Sequence, residues 1–177
     1  MKSYSMHSVM GAANRAVAMA CQWMRQQQPE ASIHNVQEVL RFQHLGVDLL
    51  WEKGPHSVEG MEVKGDRSRG KRFFFELISN FEKGTPGCFL YSKAHWLLYV
   101  FLPLRRLYAL PLPATRSWLV PLAQGFPLQK AHTRTGPIAY TTVGVAVPVE
   151  TLMRAVPQAL AWQQEGEHFN PLSPGKV

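Results

Sequence analysis

Cysteine is nearly missing from this chain: Cys21 and Cys88 are the only two, and they form no CxxC pair. That excludes a zinc knuckle and a disulfide framework and makes a reducing cytoplasm the expected compartment. Long apolar runs are missing too. The longest, Trp96 to Leu104, has nine residues, contains Pro103 and stops at Arg105-Arg106, whereas a membrane-spanning helix needs ~20; no membrane span is expected. Lys2 with Val17-Ala18-Met19-Ala20-Cys21 has the outline of an export signal, but Asn14 and Arg15 interrupt the apolar stretch of ~7 to 15 residues that such a signal requires. The seven histidines are scattered without HExxH spacing, and neither a GxxxxGK-Ser/Thr phosphate loop nor a GxSxG elbow occurs, which removes the commonest metalloprotease, P-loop and serine-hydrolase readings.

Acidic residues are also few: 12 against 19 Lys and Arg, for a formal net charge of +7 in 177 residues. Such a balance suits a polyanionic partner held through phosphate contacts. The length fits one globular domain, with 46% hydrophobic residues to build its core. Residues 1 to 165 are expected to form that domain, with an N-terminal helix, and residues 166 to 177 a flexible tail containing Gly166, Pro171, Pro174 and Gly175.

Residues 9 to 27 are rich in Ala, Met and Gln and predict a helix ended by Pro29. Asn35 with Glu38 three residues later has the form of a capping box for a second helix running to Gly46. From Val47 the period switches to two. Val47, Leu49 and Trp51 fall on one side of a strand, Asp48, Leu50 and Glu52 on the other; after Gly54-Pro55, Met61 and Val63 alternate with Glu62, Lys64 and Asp66. An antiparallel hairpin is expected, followed by the basic loop Arg67 to Arg72 and a strand Phe73 to Ile78. Further on, the pattern predicts a helix capped by Ser92 from Lys93 into Tyr99, a strand from Leu107 to Leu112, a helix from Ala114 to Leu122, a strand from Tyr140 to Val147 and a helix from Val149 to Trp162.

The sharpest chemical signal is Asp48, thirteen residues and a turn, then Glu62-Val63-Lys64. Side chains at i and i+2 of a strand emerge on the same face, so Glu62 and Lys64 point together, and hairpin pairing brings Asp48 beside them. Two carboxylates so close repel unless a divalent cation lies between them, and hard oxygen ligands select Mg²⁺ or Mn²⁺. A solvated Glu-x-Lys on an amphipathic hairpin is the alternative, and Leu50 on the polar face is awkward for a site. Glu76, inside an apolar strand, either faces Lys64 and the metal or lies at a wet edge. Asp66, at the strand end, suits a turn or salt bridge. The loop carrying Arg67, Arg69, Lys71 and Arg72 is placed to contact a phosphate backbone, a solvated loop being the alternative; Lys93 is either a further phosphate contact, a second catalytic cation or a plain first-turn helix lysine, and Arg105-Arg106 and Lys130, His132 and Arg134 are weaker candidates.

The order helix, Gly-Val-Asp48-Leu-Leu-Trp, Met-Glu62-Val-Lys64-Gly-Asp66, Phe-Phe-Phe-Glu76, with Tyr91-Ser-Lys93-Ala-His-Trp-Leu beyond it, resembles the PD-(D/E)XK nuclease superfamily over residues 34 to 112. Val47 stands where the family's name has Pro. The resemblance implies an α/β, restriction-endonuclease-like fold, a central mixed β-sheet flanked by helices. It implies that Asp48, Glu62 and Val63 hold the metal, that Lys64 assists the attacking water, and that Glu38, from the preceding helix, is a fourth participant if it is not simply a cap. The expected activity is Mg²⁺- or Mn²⁺-dependent cleavage of DNA, with a homodimer for cutting both strands. A catalytically silent DNA-binding or assembly module, and a small α/β interaction domain with an accidental Glu-x-Lys, are the other readings.

Overall fold

The computed structural model describes residues 3–135 and 138–173. Along the chain run β1 (Ser3–Ser5), α1 (Met6–Gln27), β2 (Ser32–Asn35), α2 (Leu40–Leu45), β3 (Leu49–Gly54), β4 (Ser57–Asp66), β5 (Arg72–Asn80), β6 (Thr85–Pro86), α3 (Cys88–Tyr91), β7 (Trp96–Phe101), β8 (Arg106–Pro111), α4 (Leu112–Leu122), β9 (Leu128–Thr135), β10 (Ile138–Pro148), α5 (Val149–Ala155), β11 (Leu160–Glu165) and β12 (His168–Pro171). The fold is mixed α/β. Seven strands form one sheet in the order β12-β11-β8-β7-β4-β3-β2, and five form a second in the order β1-β9-β10-β5-β6. Each sheet is mixed: β4 runs parallel to β7 and β1 parallel to β9, while the remaining pairs are antiparallel.

The seven-stranded sheet is covered on both faces. On one side α1 buries Ala16, Val17, Ala20, Trp23 and Met24 against Leu49, Trp51, Met61, Leu98 and Val100. Small residues on the helix allow a close approach: a Cβ on Gly65 of β4 would lie 2.8 Å from the Ala12 carbonyl oxygen and 2.9 Å from Ala16 Cβ, so glycine is required where helix and strand meet. On the other side Leu97, Tyr99, Phe101, Tyr108 and Leu110 pack against Phe73, Phe75, Val145 and Val147 of the five-stranded sheet. Phe73 lies at the centre of this seam, with ring contacts to Tyr99, Phe101 and Tyr108 at 5.0 to 5.7 Å. None of the described helices is long and apolar enough to cross a membrane.

The β3–β4 hairpin forms as the alternation predicts, with Leu49 opposite Met61 and Leu50 opposite Gly60. Several expectations are corrected. Trp96 to Tyr99 is strand, not helix: β7 is covered above and below, and a strand buried on both faces loses the alternation that would reveal it. Ser92 caps no helix start. It ends α3, and its hydroxyl donates to Gly46 O at 2.6 Å while accepting from the Ala94 amide. The capping box is absent as well: Asn35 Oδ1 accepts from the Gln37 amide, Ser32–Asn35 is strand, and α2 starts after Val39 with no side-chain cap. Val47 packs with the inter-sheet core rather than beside Leu49 and Trp51. The helix expected to reach Trp162 stops at Ala155, two residues before Pro157, and Trp162 belongs to β11. β9 was not expected. Within the segment expected to be a flexible tail, residues 168–171 form β12 on β11, with Phe169 buried in the α1 core; residues 174–177 lie outside the described residues.

Candidate active site

Asp48 precedes β3 and is fixed to β4 by backbone and side chain together. Its amide donates to Met61 O at 2.8 Å, Oδ2 accepts from the Val63 amide at 2.7 Å, and Oδ1 accepts from Gln37 Nε2 at 3.4 Å. The approach depends on a tight turn: Gly46 adopts φ 60°, and a Cβ there would lie 2.9 Å from Ser92 Cβ, so glycine is the residue that lets the chain end α2 against Ser92 and swing Asp48 onto the strand.

Glu62 and Lys64 project from β4 into the seam between the sheets, the same side as the Phe73 and Phe75 core. Burial, and next the charge of Asp48, push the Glu62 carboxyl up to about 8; Lys64 and a hydrogen bond with the Cys88 thiol act in the opposite direction, and Glu76 adds a further upward push. Asp48 is also raised, by burial, with the Val63 and Gln37 hydrogen bonds opposing. Glu76 enters from β5 across the seam, its Oε2 4.0 Å from Lys64 Nζ, with about a fifth of each side chain exposed; the ammonium also lies 5.1 Å from the centre of the Phe74 ring. The sequence-predicted Asp48, Glu62, Lys64 and Glu76 thus form one electrostatic cluster in a part of the molecule otherwise filled by aromatic and aliphatic side chains. Three carboxyl groups face one ammonium there. A region so poor in water penalises that imbalance.

Glu38 does not join them. It is exposed on the turn before α2, and is not among the groups that shift Asp48 or Glu62. Val63 takes part through its amide, which occupies one oxygen of Asp48, while its side chain packs toward α1. Two participants were not foreseen: Cys88, half-buried beside Glu62 and raised to about 12 chiefly by desolvation, and Gln37. Neither has a spacing signal, because α3 reaches the site through the Gly87 amide bonded to Leu77 O of β5 and Gln37 through a turn.

Glu62, Lys64, Glu76 and Cys88 line a pocket of about 10 Å³, room for about one water molecule. It shares Lys64 and Phe74 with an open cleft of about 760 Å³ lined by Arg67, Arg69, Lys71, Arg72 and Lys130. Asp66 organises the cleft's rim: Oδ1 accepts from the Ser68 amide at 2.6 Å and Oδ2 from the Tyr99 hydroxyl at 2.6 Å, and that hydroxyl accepts from the Phe74 amide at 3.1 Å. The end of β4 is thereby tied to the start of β5. Lys93 lies apart from both cavities, exposed in the segment after α3, its amide bonded to Leu45 O.

Among the described residues no group of three or more His, Cys, Asp or Glu side chains is arranged to hold a metal ion. Asp48 and Glu62 form a pair whose mutual repulsion a divalent cation would relieve, and Mg²⁺ is commonly held by one or two carboxylates with water completing its shell. The donor set therefore fits a hard divalent cation. No protein-family model, curated protein or solved structure matches the chain.

Proposed function

We propose that the protein is a metal-dependent deoxyribonuclease of the PD-(D/E)XK type, with Asp48 and Glu62 holding Mg²⁺ or Mn²⁺. The observation carrying this reading is the gathering of Glu62, Glu76 and Lys64 around a small pocket, with Asp48 near enough to raise Glu62, beside a basic cleft that shares Lys64 and Phe74 with that pocket. A structural ion pair would need one acid for one lysine; the excess of carboxyl groups is costly to folding and useful to cation binding.

The metal, when bound, would polarise the phosphodiester and ease deprotonation of a water. Lys64 lies at the junction of pocket and cleft, suited to orienting the attacking water and to stabilising charge that develops on the phosphate. Glu76 and the Phe74 face hold that ammonium in place. Gln37 and the Val63 amide orient Asp48. Arg69, Lys71 and Arg72 are exposed along the cleft and supply contacts to the DNA backbone that fix position without reading sequence. A homodimer would supply the two centres needed to cut both strands.

The test is cleavage of supercoiled, linear and single-stranded DNA in EDTA, Mg²⁺ or Mn²⁺ by the wild-type protein, Glu62→Ala and Lys64→Ala. Cleavage that requires the metal and is lost in both variants is the expected result. A wild-type protein that binds DNA but cuts none of the three forms would leave the silent binding module as the better account.

A further inference from the structure

The basic cleft does not end at the β4–β5 loop. Arg67 also lines a second open cleft, of about 640 Å³, on the α1 side of the molecule, together with Arg15, Leu102, Pro103, Arg105 and Gln164. The three cavities therefore form a chain: the carboxylate pocket meets the first cleft at Lys64, and the first cleft meets the second at Arg67. Among the described residues, no Asp or Glu lines the second cleft.

Arg105 is built into this position at a cost. It is the one residue other than glycine with positive φ among the described residues, at 51°, directly after the 3-10 turn Leu102–Leu104. Glycine is the default in that conformation, and a bulky residue kept there points to a role for its side chain. The guanidinium is held by neutral acceptors, Gln164 Oε1 at 3.3 Å and Gly166 O at 2.7 Å, so it is oriented, and among the described residues it forms no ion pair with a carboxylate. Arg15 projects from α1, exposed. An oriented arginine without a carboxylate partner, beside a second arginine in an acid-free cleft, suits phosphate oxygens.

We infer that Arg15, Arg67 and Arg105 form a second phosphate-binding subsite, which takes the backbone of the same DNA strand on the far side of the β4–β5 loop from the reaction centre. This rests on the nuclease reading for the identity of the polyanion. From Lys64 to Arg67 the extended chain covers about 10 Å, so the subsite engages phosphates beyond the scissile one and carries register rather than chemistry.

Binding of a fluorescein-labelled DNA strand of ~30 nucleotides, measured by anisotropy in EDTA across a salt series, tests the subsite separately from cleavage. Arg15→Ala is expected to weaken binding and to lower the slope of log K against log salt by about 0.7, the value for one single-strand phosphate contact. Arg105→Gly is expected to do the same with a melting temperature close to that of the wild type, because relief of the positive φ offsets the lost bonds to Gln164 and Gly166. Unchanged affinity and slope in both variants overturns the subsite while leaving a wild-type protein that cuts DNA as a nuclease. Reduced slopes in a wild-type background that never cuts would keep the subsite and overturn the nuclease reading instead. A lower melting temperature for Arg105→Gly, with Arg15→Ala unchanged in binding, would make Arg105 a strut for the β11–β12 turn and overturn the subsite.

Discussion

The two faces of the β3–β4 hairpin are built from alternate residues of the same strands and are both covered, yet they do opposite things. Toward α1, Leu49, Trp51, Met61 and Val63 meet an apolar helix face and contribute only burial. Toward the second sheet, Glu62 and Lys64, with Asp48 alongside, meet Phe74, Phe75 and Glu76, and ionisable groups are kept in a setting that resists ionising Glu62. The difference shows that a polar face on an amphipathic hairpin need not be a wet one. Here it lines a seam, and the cost of ionising Glu62 follows from where β5 was laid down, not from Glu62's neighbours in sequence.

The comparison can be broken most severely through the seam's packing. Phe73 is fully buried with four aromatic partners, and Phe73→Ala is expected to cost about 3 to 5 kcal/mol in denaturant unfolding. Leu49→Ala, on the α1 face, is expected to cost about 2 to 5 kcal/mol but to leave cleavage per folded molecule unchanged; equal losses of activity in both variants would erase the distinction between the faces. Asp66→Ala deprives the buried Tyr99 hydroxyl of its acceptor and is expected to cost about 1 to 3 kcal/mol in the same experiment.

A pH series sharpens the contrast. The Glu62 carboxyl is raised from 4.5 to about 8 in the folded protein, so the folded state favours the protonated acid. The stability this contributes is complete below pH 4.5 and is lost as pH rises toward 8. Asp48, raised as well, acts in the same direction. Thermal unfolding in EDTA is therefore expected to show stability falling between about pH 5 and 8, with Glu62→Gln flattening the fall; an equal fall in both proteins would contradict the placement of Glu62. The smallest effect is expected at Glu38, where Glu38→Ala on the exposed turn should change stability by no more than about 0.5 kcal/mol and leave cleavage intact. A large loss of activity there would return Glu38 to the reaction centre.

What the sequence made legible was local. The hairpin and the shared side of Glu62 and Lys64 follow from period-two alternation around Gly54-Pro55, and α1 follows from composition and Pro29. β7 was hidden because Leu97 through Phe101 are all buried, leaving no polar residue to mark a face. β11 was hidden by reading through Pro157, a signal that was present and underweighted. In the site, the meeting of Lys64 with Glu76 depends on β5 crossing into another sheet, and the arrival of Cys88 depends on α3 docking on β5; neither is encoded in spacing. The Asn35–Glu38 pattern misled because Asn35 satisfied the Gln37 amide in a turn instead of starting a helix.

The central claim, that the charged side of the hairpin is a cation site rather than a tolerated defect of packing, is tested most directly by calorimetric titration of Mn²⁺ into the protein without DNA, with Glu62→Gln and Glu38→Gln alongside. The account predicts saturable binding that Glu62→Gln abolishes and Glu38→Gln preserves. Absence of binding to the wild-type protein, or equal binding to Glu62→Gln, would contradict it.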